Sequence, residues 1–361
     1  MKLLYITNGI TGPGGLERVL SVKASLLADD FDYEVNILTL NEMDKESFYT
    51  FSTNVSLHSF PVFGNPVQYF SQYKNGIQKI VNQIQPDIIL VCDDGLKGFF
   101  LPRLIRTTAK WIYERHVSKL IAARIGQGLI KSLLTRGKWF LMEKLGQDFS
   151  RFIVLTEGNI NEWKSLTNLE VIPNPLSFYP TESSSLTQKT VICVGKISYQ
   201  KGQDVLVKAW NLVWNKHPDW KLELYGTSNE NFLNTEDLKR INVYHFPPEI
   251  NILEKYLNSS IYVMSSRFEG FGMVLIEAMA CGVPCISFDC NYGPSDIIEN
   301  NEDGLLVEKG EIDALANHIN QLIEREELRK TMGKKAKVNV RRFAPAVIVS
   351  QWDQLFKEIT A

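Results

Sequence analysis

The run Ser265-Ser266-Arg267-Phe268-Glu269-Gly270-Phe271-Gly272-Met273-Val274-Leu275-Ile276-Glu277-Ala278-Met279-Ala280-Cys281-Gly282-Val283-Pro284 places one carboxylate at each end of a glycine turn and an apolar segment. Glycine suits the position just past a helix end and Pro284 cannot continue a helix, so the pattern predicts a helix from near Gly272 to Gly282. The residues between are apolar nearly all round, which predicts burial on every side. Glu277 is the one charge among them. A lone buried carboxylate is costly unless it is partnered; the vicinal hydroxyls of a ribose would satisfy both oxygens, and a core arginine or lysine is the plainer alternative. Glu269 falls just before the helix N-terminus, and at about 1.5 Å rise per residue the two carboxylates stand roughly 10 Å apart along the axis. That is about the reach from a ribose across a diphosphate to a sugar. The backbone N–H groups of Gly270, Phe271, Gly272 and Met273 would then face phosphate, where the helix dipole favours negative charge.

Working outward, short apolar and β-branched runs alternate with longer helical patterns. Residues 3–7, 35–40, 88–92, 111–113 and 152–155 form one series, and 191–194, 222–225, 261–264, 284–288 and 305–307 a second. Such alternation predicts parallel sheets covered by helices, and two series predict two α/β domains. A chain of 361 residues exceeds the usual single-core size, which agrees. The stretch 174–188 mixes prolines and serines without periodicity and is the expected hinge. Doubly wound sheets bind ligands outside their strand carboxyl ends, so a cleft between the domains is the default site.

Hydrophobic content of 44% with 22% charged residues describes an ordinary soluble globular protein. The cysteines (Cys92, Cys193, Cys281, Cys285, Cys290) are too scattered for a disulfide framework and lack a histidine at zinc-site spacing, so they read as reduced core thiols. Met1-Lys2-Leu3-Leu4-Tyr5-Ile6-Thr7 runs straight into a glycine loop and reads as a strand, not a signal peptide. A cytosolic location is expected, with no nucleic-acid partner. The net charge of −2 hides an asymmetry: residues 97–144 carry eleven basic against two acidic residues. Such a surface suits an anionic partner. Within it, 119–144 interleaves cations with Leu120, Ile121, Ile125, Leu129, Ile130, Leu133, Leu134, Trp139, Phe140 and Leu141, a pattern fitting a membrane interface or, more plainly, a core helix with a solvated basic face.

The pattern Glu269, seven residues, Glu277, then Ala-Met-Ala-Cys-Gly-Val-Pro resembles the donor-site signature of the retaining glycosyltransferases of family four (glycosyl transferases group 1). Val194-Gly195-Lys196-Ile197-Ser198-Tyr199-Gln200-Lys201-Gly202 resembles that family's phosphate-binding strand and turn, Gly14-Gly15-Leu16-Glu17-Arg18-Val19 its N-terminal glycine loop, and Ile172-Pro173-Asn174-Pro175 its interdomain hinge. The resemblance implies the GT-B fold, two Rossmann-like α/β domains facing each other across a central cleft. It implies an acceptor-binding domain over 1–175 and a nucleotide-sugar-binding domain over 176–343, with the helix in 344–361 packing back on the first.

It also implies a UDP-sugar as donor substrate, no cofactor and no metal. Glu269 would contact the donor sugar, Lys201 would neutralise the diphosphate, and Gly270, Phe271, Gly272, Met273, Val274 and Glu277 would complete the donor site. His116, after the strand 111–113, takes the place of a family histidine at the donor sugar; an isolated histidine is otherwise often structural. Lys196 stands where the family usually has arginine, and a lysine cannot offer the same bidentate fork. The resemblance makes Gly14 and Gly15 an acceptor or phosphate loop, with a plain strand-to-helix turn as the alternative; their spacing does not fit a dinucleotide fingerprint. Asp93-Asp94 lacks the spacing of a metal-binding Asp-x-Asp pair. Cys290-Asn291-Tyr292-Gly293-Pro294-Ser295-Asp296 resembles members using galactose or N-acetylhexosamine donors, although Ser295 could simply cap a helix. The expected reaction moves a hexose or N-acetylhexosamine to a lipid-linked saccharide in cell-surface polysaccharide synthesis, with peripheral attachment to the inner membrane face. A same-fold epimerase or hydrolase, and a non-catalytic nucleotide-sugar-binding module, are the alternatives.

Overall fold

The apolar runs become strands of two parallel sheets. In a computed structural model, described for all residues except 44, 94, 123–128 and 229–237 (and without side chains at 121, 122 and 129–132), the chain divides into Met1–Pro175 with Pro345–Ala361 and Leu176–Ala344. The expectations for Asp94 and for the 123–128 part of the basic stretch lie outside the described residues. The first unit holds β1 (Lys2–Ile6), β2 (Glu34–Leu40), β3 (Val55–Phe60), β4 (Ile88–Val91), β5 (Lys110–Glu114), β6 (Arg151–Val154) and β7 (Leu169–Val171), in spatial order β3-β2-β1-β4-β5-β6-β7. The second holds β8 (Thr190–Val194), β9 (Lys221–Tyr225), β10 (Val243–Phe246), β11 (Ile261–Met264), β12 (Cys285–Asp289) and β13 (Gly304–Glu308), in order β10-β9-β8-β11-β12-β13. These strands pair in parallel, for instance Tyr5 with Ile37 and Leu90, and Tyr262 with Ile192 and Cys285. Both units are the doubly wound, Rossmann-like α/β sheets that the sequence predicts.

Central strands read as continuous apolar runs because helices cover both sheet faces. All four residues of β11 are buried, as are Leu3 to Ile6 of β1. At roughly 1.5–3 kcal/mol per fully buried large apolar side chain, such runs dominate the core of each unit. Three strands escaped the sequence reading, β3, β7 and β10, and all are sheet edges. An edge strand is half-solvated, so Val-Ser-Leu-His-Ser-Phe of β3 alternates weakly and mimics a loop.

Each sheet reverses its order at one point, between β1 and β4 in the first and between β8 and β11 in the second, and there the loops splay to admit ligands. The helix Pro345–Thr360 buries Ile348, Val349, Trp352, Leu355 and Phe356 and belongs to the first unit. Much of the stretch expected to be a hinge is anchored in the second unit. Leu176 N–H donates to Phe343 O at 2.8 Å, Ser184 N–H to Cys281 O at 2.8 Å, and Ser184 Oγ to Ser259 O at 2.6 Å. The five cysteines are buried and form no disulfide among the described residues. Burial pushes the Cys193 and Cys281 thiols up to about 12.

The basic stretch is less of a surface than its composition suggests. Arg115 and Lys119 are buried, Lys119 pairs with Glu143, and Arg103 pairs with Asp148 at 2.6 Å. The helix Leu129–Gly146 nevertheless leaves Leu133, Leu134 and Phe140 exposed, at 69, 68 and 70%. No described helix is long and apolar enough to cross a membrane.

Candidate functional site

In the second unit the site grows from the carboxyl ends of β8 and β11, neighbours at the reversal point. Gly202 ends the turn after β8 with φ +66 and precedes the helix Gln203–Trp214; a Cβ there would lie 2.1 Å from the carbonyl oxygen of Ser265. The glycine lets the turn press directly on the end of β11. Lys201 Nζ then donates to Glu269 Oε1 at 2.7 Å, and Ser266 Oγ donates to the same oxygen at 2.5 Å. The two turns are joined further. Ser265 Oγ donates to Lys201 O, and Arg267 N–H to Gln200 O. The Arg267 guanidinium grips Asp204 through two bonds of 2.9 and 2.7 Å and lies 4.1 Å over the Tyr199 ring. Burial works against the Asp204 charge, but the Arg267 hydrogen bonds prevail and hold its carboxyl below the ordinary value. Lys196, by contrast, is exposed to solvent, outside this network.

The helix predicted from near Gly272 spans Met273–Ala280, with Gly272 (φ +110) at its N-cap and Gly282 (φ +71) just past its end. Leu275 N–H bonds back to Gly272 O, while Met273 and Val274 lie in the first turn, where N–H groups have no partner one turn earlier. Glu277 is buried as predicted, and two hydroxyl groups bond its carboxylate. Ser177 Oγ donates to Oε1 at 3.1 Å and Tyr256 OH to Oε2 at 3.2 Å. The loop after β12 closes one side: Glu269 N–H donates to Asn291 O, and Tyr292 N–H returns to Glu269 O. Gly293, not Ser295, caps the helix Pro294–Ile297, and its φ of +116 sets a would-be Cβ 1.8 Å from Phe271 O.

In the first unit, Gly14 is the N-cap of the helix Gly15–Asp30 that follows β1. The glycine loop is held by an acid: Glu42 accepts from Ile10 N–H at 2.8 Å and from Thr11 Oγ at 2.5 Å. His116 lies just past β5 with its side chain 6% exposed, and its Nε2 stands 3.2 Å from Glu114 Oε2. Glu114 is itself buried against Lys23, whose Nζ donates to Oε2 at 2.5 Å. Burial raises the Glu114 carboxyl, yet Lys23 and His116 outweigh it and hold it at about 2. Cys92, Glu114 and His116 bring potential metal-ligand atoms within 4.8 Å of one another, with the Lys23 ammonium already on the carboxylate.

Residues 180–339 match the model of the family described as glycosyl transferases group 1. An uncharacterized glycosyltransferase of Haemophilus influenzae is 27% identical over 97% of this chain and 98% of its own length. The amylovoran biosynthesis glycosyltransferase AmsD of Erwinia amylovora is 29% identical over 98% and 99%. A variant of TarM from S. aureus, solved with fondaparinux, alpha-GlcNAc-glycerol and UDP, superposes with a TM-score of 0.77 at 16% identity, covering 98% of this chain and 99% of that one. The fold is that of the GT-B glycosyltransferases. The chain is a glycosyltransferase whose residues 180–339 are similar to the glycosyl transferases of group 1.

Lys201 and Glu269, read separately in the sequence, are one ion pair, and Glu277 stands on the adjoining helix. The reading passed over Ser266, Arg267, Asp204, Ser177 and Tyr256, which hold those groups. Arg267 carried a signal, being the single cation in an otherwise apolar and acidic run. Lys23 carried another: it sits on the face of Val19, Leu20, Ala24 and Leu27, all buried, where a charge requires a buried partner.

Proposed function

We propose that the protein transfers a hexose or an N-acetylhexosamine from a UDP-sugar to a lipid-linked saccharide, with retention of configuration and without a metal, in cell-surface polysaccharide synthesis at the cytosolic membrane face. The observation that carries this reading is the Lys201–Glu269 pair at the strand ends, next to the helix that bears Glu277. Glu277 takes the ribose hydroxyls in exchange for Ser177 and Tyr256, and the N–H groups of Gly270 to Val274 face the diphosphate. Lys201 leaves Glu269 for the phosphates, with Lys196 further out, and frees Glu269 to orient the sugar hydroxyls. His116 contacts the donor sugar. Glu42, which follows β2 and holds Ile10 and Thr11 of the glycine loop, repels phosphate and accepts from hydroxyls, which favours a saccharide acceptor there.

In the reaction, the bond from the anomeric carbon to the phosphate oxygen breaks and its electron pair leaves with UDP. The acceptor oxygen bonds to the same face of that carbon, and its proton passes to the departing phosphate. Negative charge grows on the diphosphate, which is where an ammonium group helps most. The naming of AmsD for amylovoran biosynthesis, and the UDP bound to TarM, support the polysaccharide and UDP parts of the reading.

Thermal unfolding across UDP-, GDP- and ADP-sugars, in chelator, tests it. One UDP-sugar at about 100 times its Kd should add roughly 2.7 kcal/mol of stability, and Glu277→Ala and Lys201→Ala should abolish the shift. No shift with any nucleotide sugar removes the reading. UDP release without an acceptor would turn it into that of a hydrolase or epimerase.

A further inference from the structure

The first unit contains a buried ion pair, Lys23 with Glu114, that has no part in the transfer reaction and lies against His116. Lys23 comes from the helix Gly15–Asp30, Glu114 from the end of β5 and His116 from the residues just beyond, and the side chains of Lys23 and Glu114 are 1 and 2% exposed. The Lys23 ammonium also lies 4.0 Å from the ring centre of Trp352 on the C-terminal helix and 5.1 Å from that of Tyr5 on β1. Aromatic faces on two sides and a carboxylate on a third surround this buried cation. Lys23 and His116 both approach one oxygen of Glu114, Oε2, while Oε1 and His116 Nδ1 are buried and have no hydrogen-bond partner among the described residues.

A carboxylate can only accept, so the imidazole nitrogen facing it must carry hydrogen. In a neutral ring that leaves the other nitrogen as an acceptor. An unpaired Glu114 would also draw a second proton onto the ring, since a nearby anion favours imidazolium. Lys23 cancels that pull, because the pair Lys23–Glu114 is neutral as a whole. We propose that Lys23 and Glu114 are positioning residues for His116: together they fix it as the neutral Nε2–H tautomer and turn Nδ1 into an acceptor for a sugar hydroxyl. The inference rests on the reading of His116 as a substrate contact and adds which nitrogen serves and what sets it. A hydroxyl reaching Nδ1 would also satisfy a buried atom that otherwise lacks a partner.

Nitrogen-15 NMR of the full chain labelled at histidine tests the assignment at neutral pH, with the His116 signals identified by their loss in His116→Gln. The expected spectrum has Nε2 protonated and Nδ1 bare. In Lys23→Met the ring should shift toward imidazolium, and in Glu114→Gln toward a tautomer mixture. Both variants should lose roughly 10–100-fold in kcat with KM for the UDP-sugar nearly unchanged, since a misoriented tautomer spoils the reacting geometry more than binding. A wild-type spectrum with hydrogen on Nδ1, or an imidazolium, overturns the proposal even where a variant fails to fold. So does an unchanged spectrum in both variants. Unchanged turnover in His116→Ala overturns the role of His116 itself, and the spectrum then tells the two failures apart.

Discussion

Gly293 governs whether the loop after β12 can reach the turn that carries Glu269. With φ +116 and Phe271 O in the space of a Cβ, Gly293→Ala must move one backbone or the other. A loss of roughly 1–3 kcal/mol is expected from the strained conformation alone, read as a lower urea midpoint. The UDP-sugar shift should weaken with it, because Glu269 is tied to Asn291 and Tyr292 through its backbone. Glu114 supports a different test. Its carboxyl is held at about 2 against an ordinary 4.5, so the unfolded chain binds the proton first on acidification. The stabilisation is complete above about pH 4.5 and is lost as the pH falls toward 2. Wild type should exceed Glu114→Gln in stability near neutrality, and the gap should close across that window. Parallel curves would mean that the pair is not coupled to folding.

The helix Leu129–Gly146 shows how an element can serve two surroundings. Its last turns bury Met142 and Leu145 in the core of the first unit, whereas Leu133, Leu134 and Phe140 face solvent beside Arg136 and Lys138. Exposed aliphatic and aromatic groups among cations suit an anionic bilayer surface, where each nearby cation contributes about 1 kcal/mol. Sedimentation with vesicles rich in phosphatidylglycerol should retain the protein at low salt. Neutral vesicles should not, and Leu133→Ser with Phe140→Ser should lower binding at least about tenfold, given the apolar area removed. Equal binding to both kinds of vesicle would refute attachment through this helix. Its apolar and basic character was legible in the sequence; the internal pairing of Lys119 with Glu143 was not, because the partner lies a full helix away.

At the scale of the molecule, the last helix belongs to the first unit although the second unit precedes it in the chain. Ile348, Val349, Trp352, Leu355 and Phe356 together bury apolar surface worth roughly 8–15 kcal/mol. That is comparable to the whole stability of a domain, about 5–15 kcal/mol. A chain ending at Ala344 should therefore expose residues 1–175 to limited proteolysis while 176–344 stays protected. Protection of both would show that the helix is dispensable.

The central strands, the helix after Gly272 and the burial of Glu277 were fixed by local pattern, because a strand covered on both faces and a helix buried all round leave unbroken apolar runs. Edge strands β3, β7 and β10 left no such run, being half in water. The partners were decided only by the tertiary structure. Lys201 meets Glu269 because β8 and β11 are neighbours at the reversal of sheet order, and Lys23 of the helix Gly15–Asp30 meets Glu114 at the end of β5, 91 residues later in the chain. Charge pairing acts over a few ångströms of space and is indifferent to separation along the chain, so residue types and spacing announced the charges while the fold alone chose which would meet.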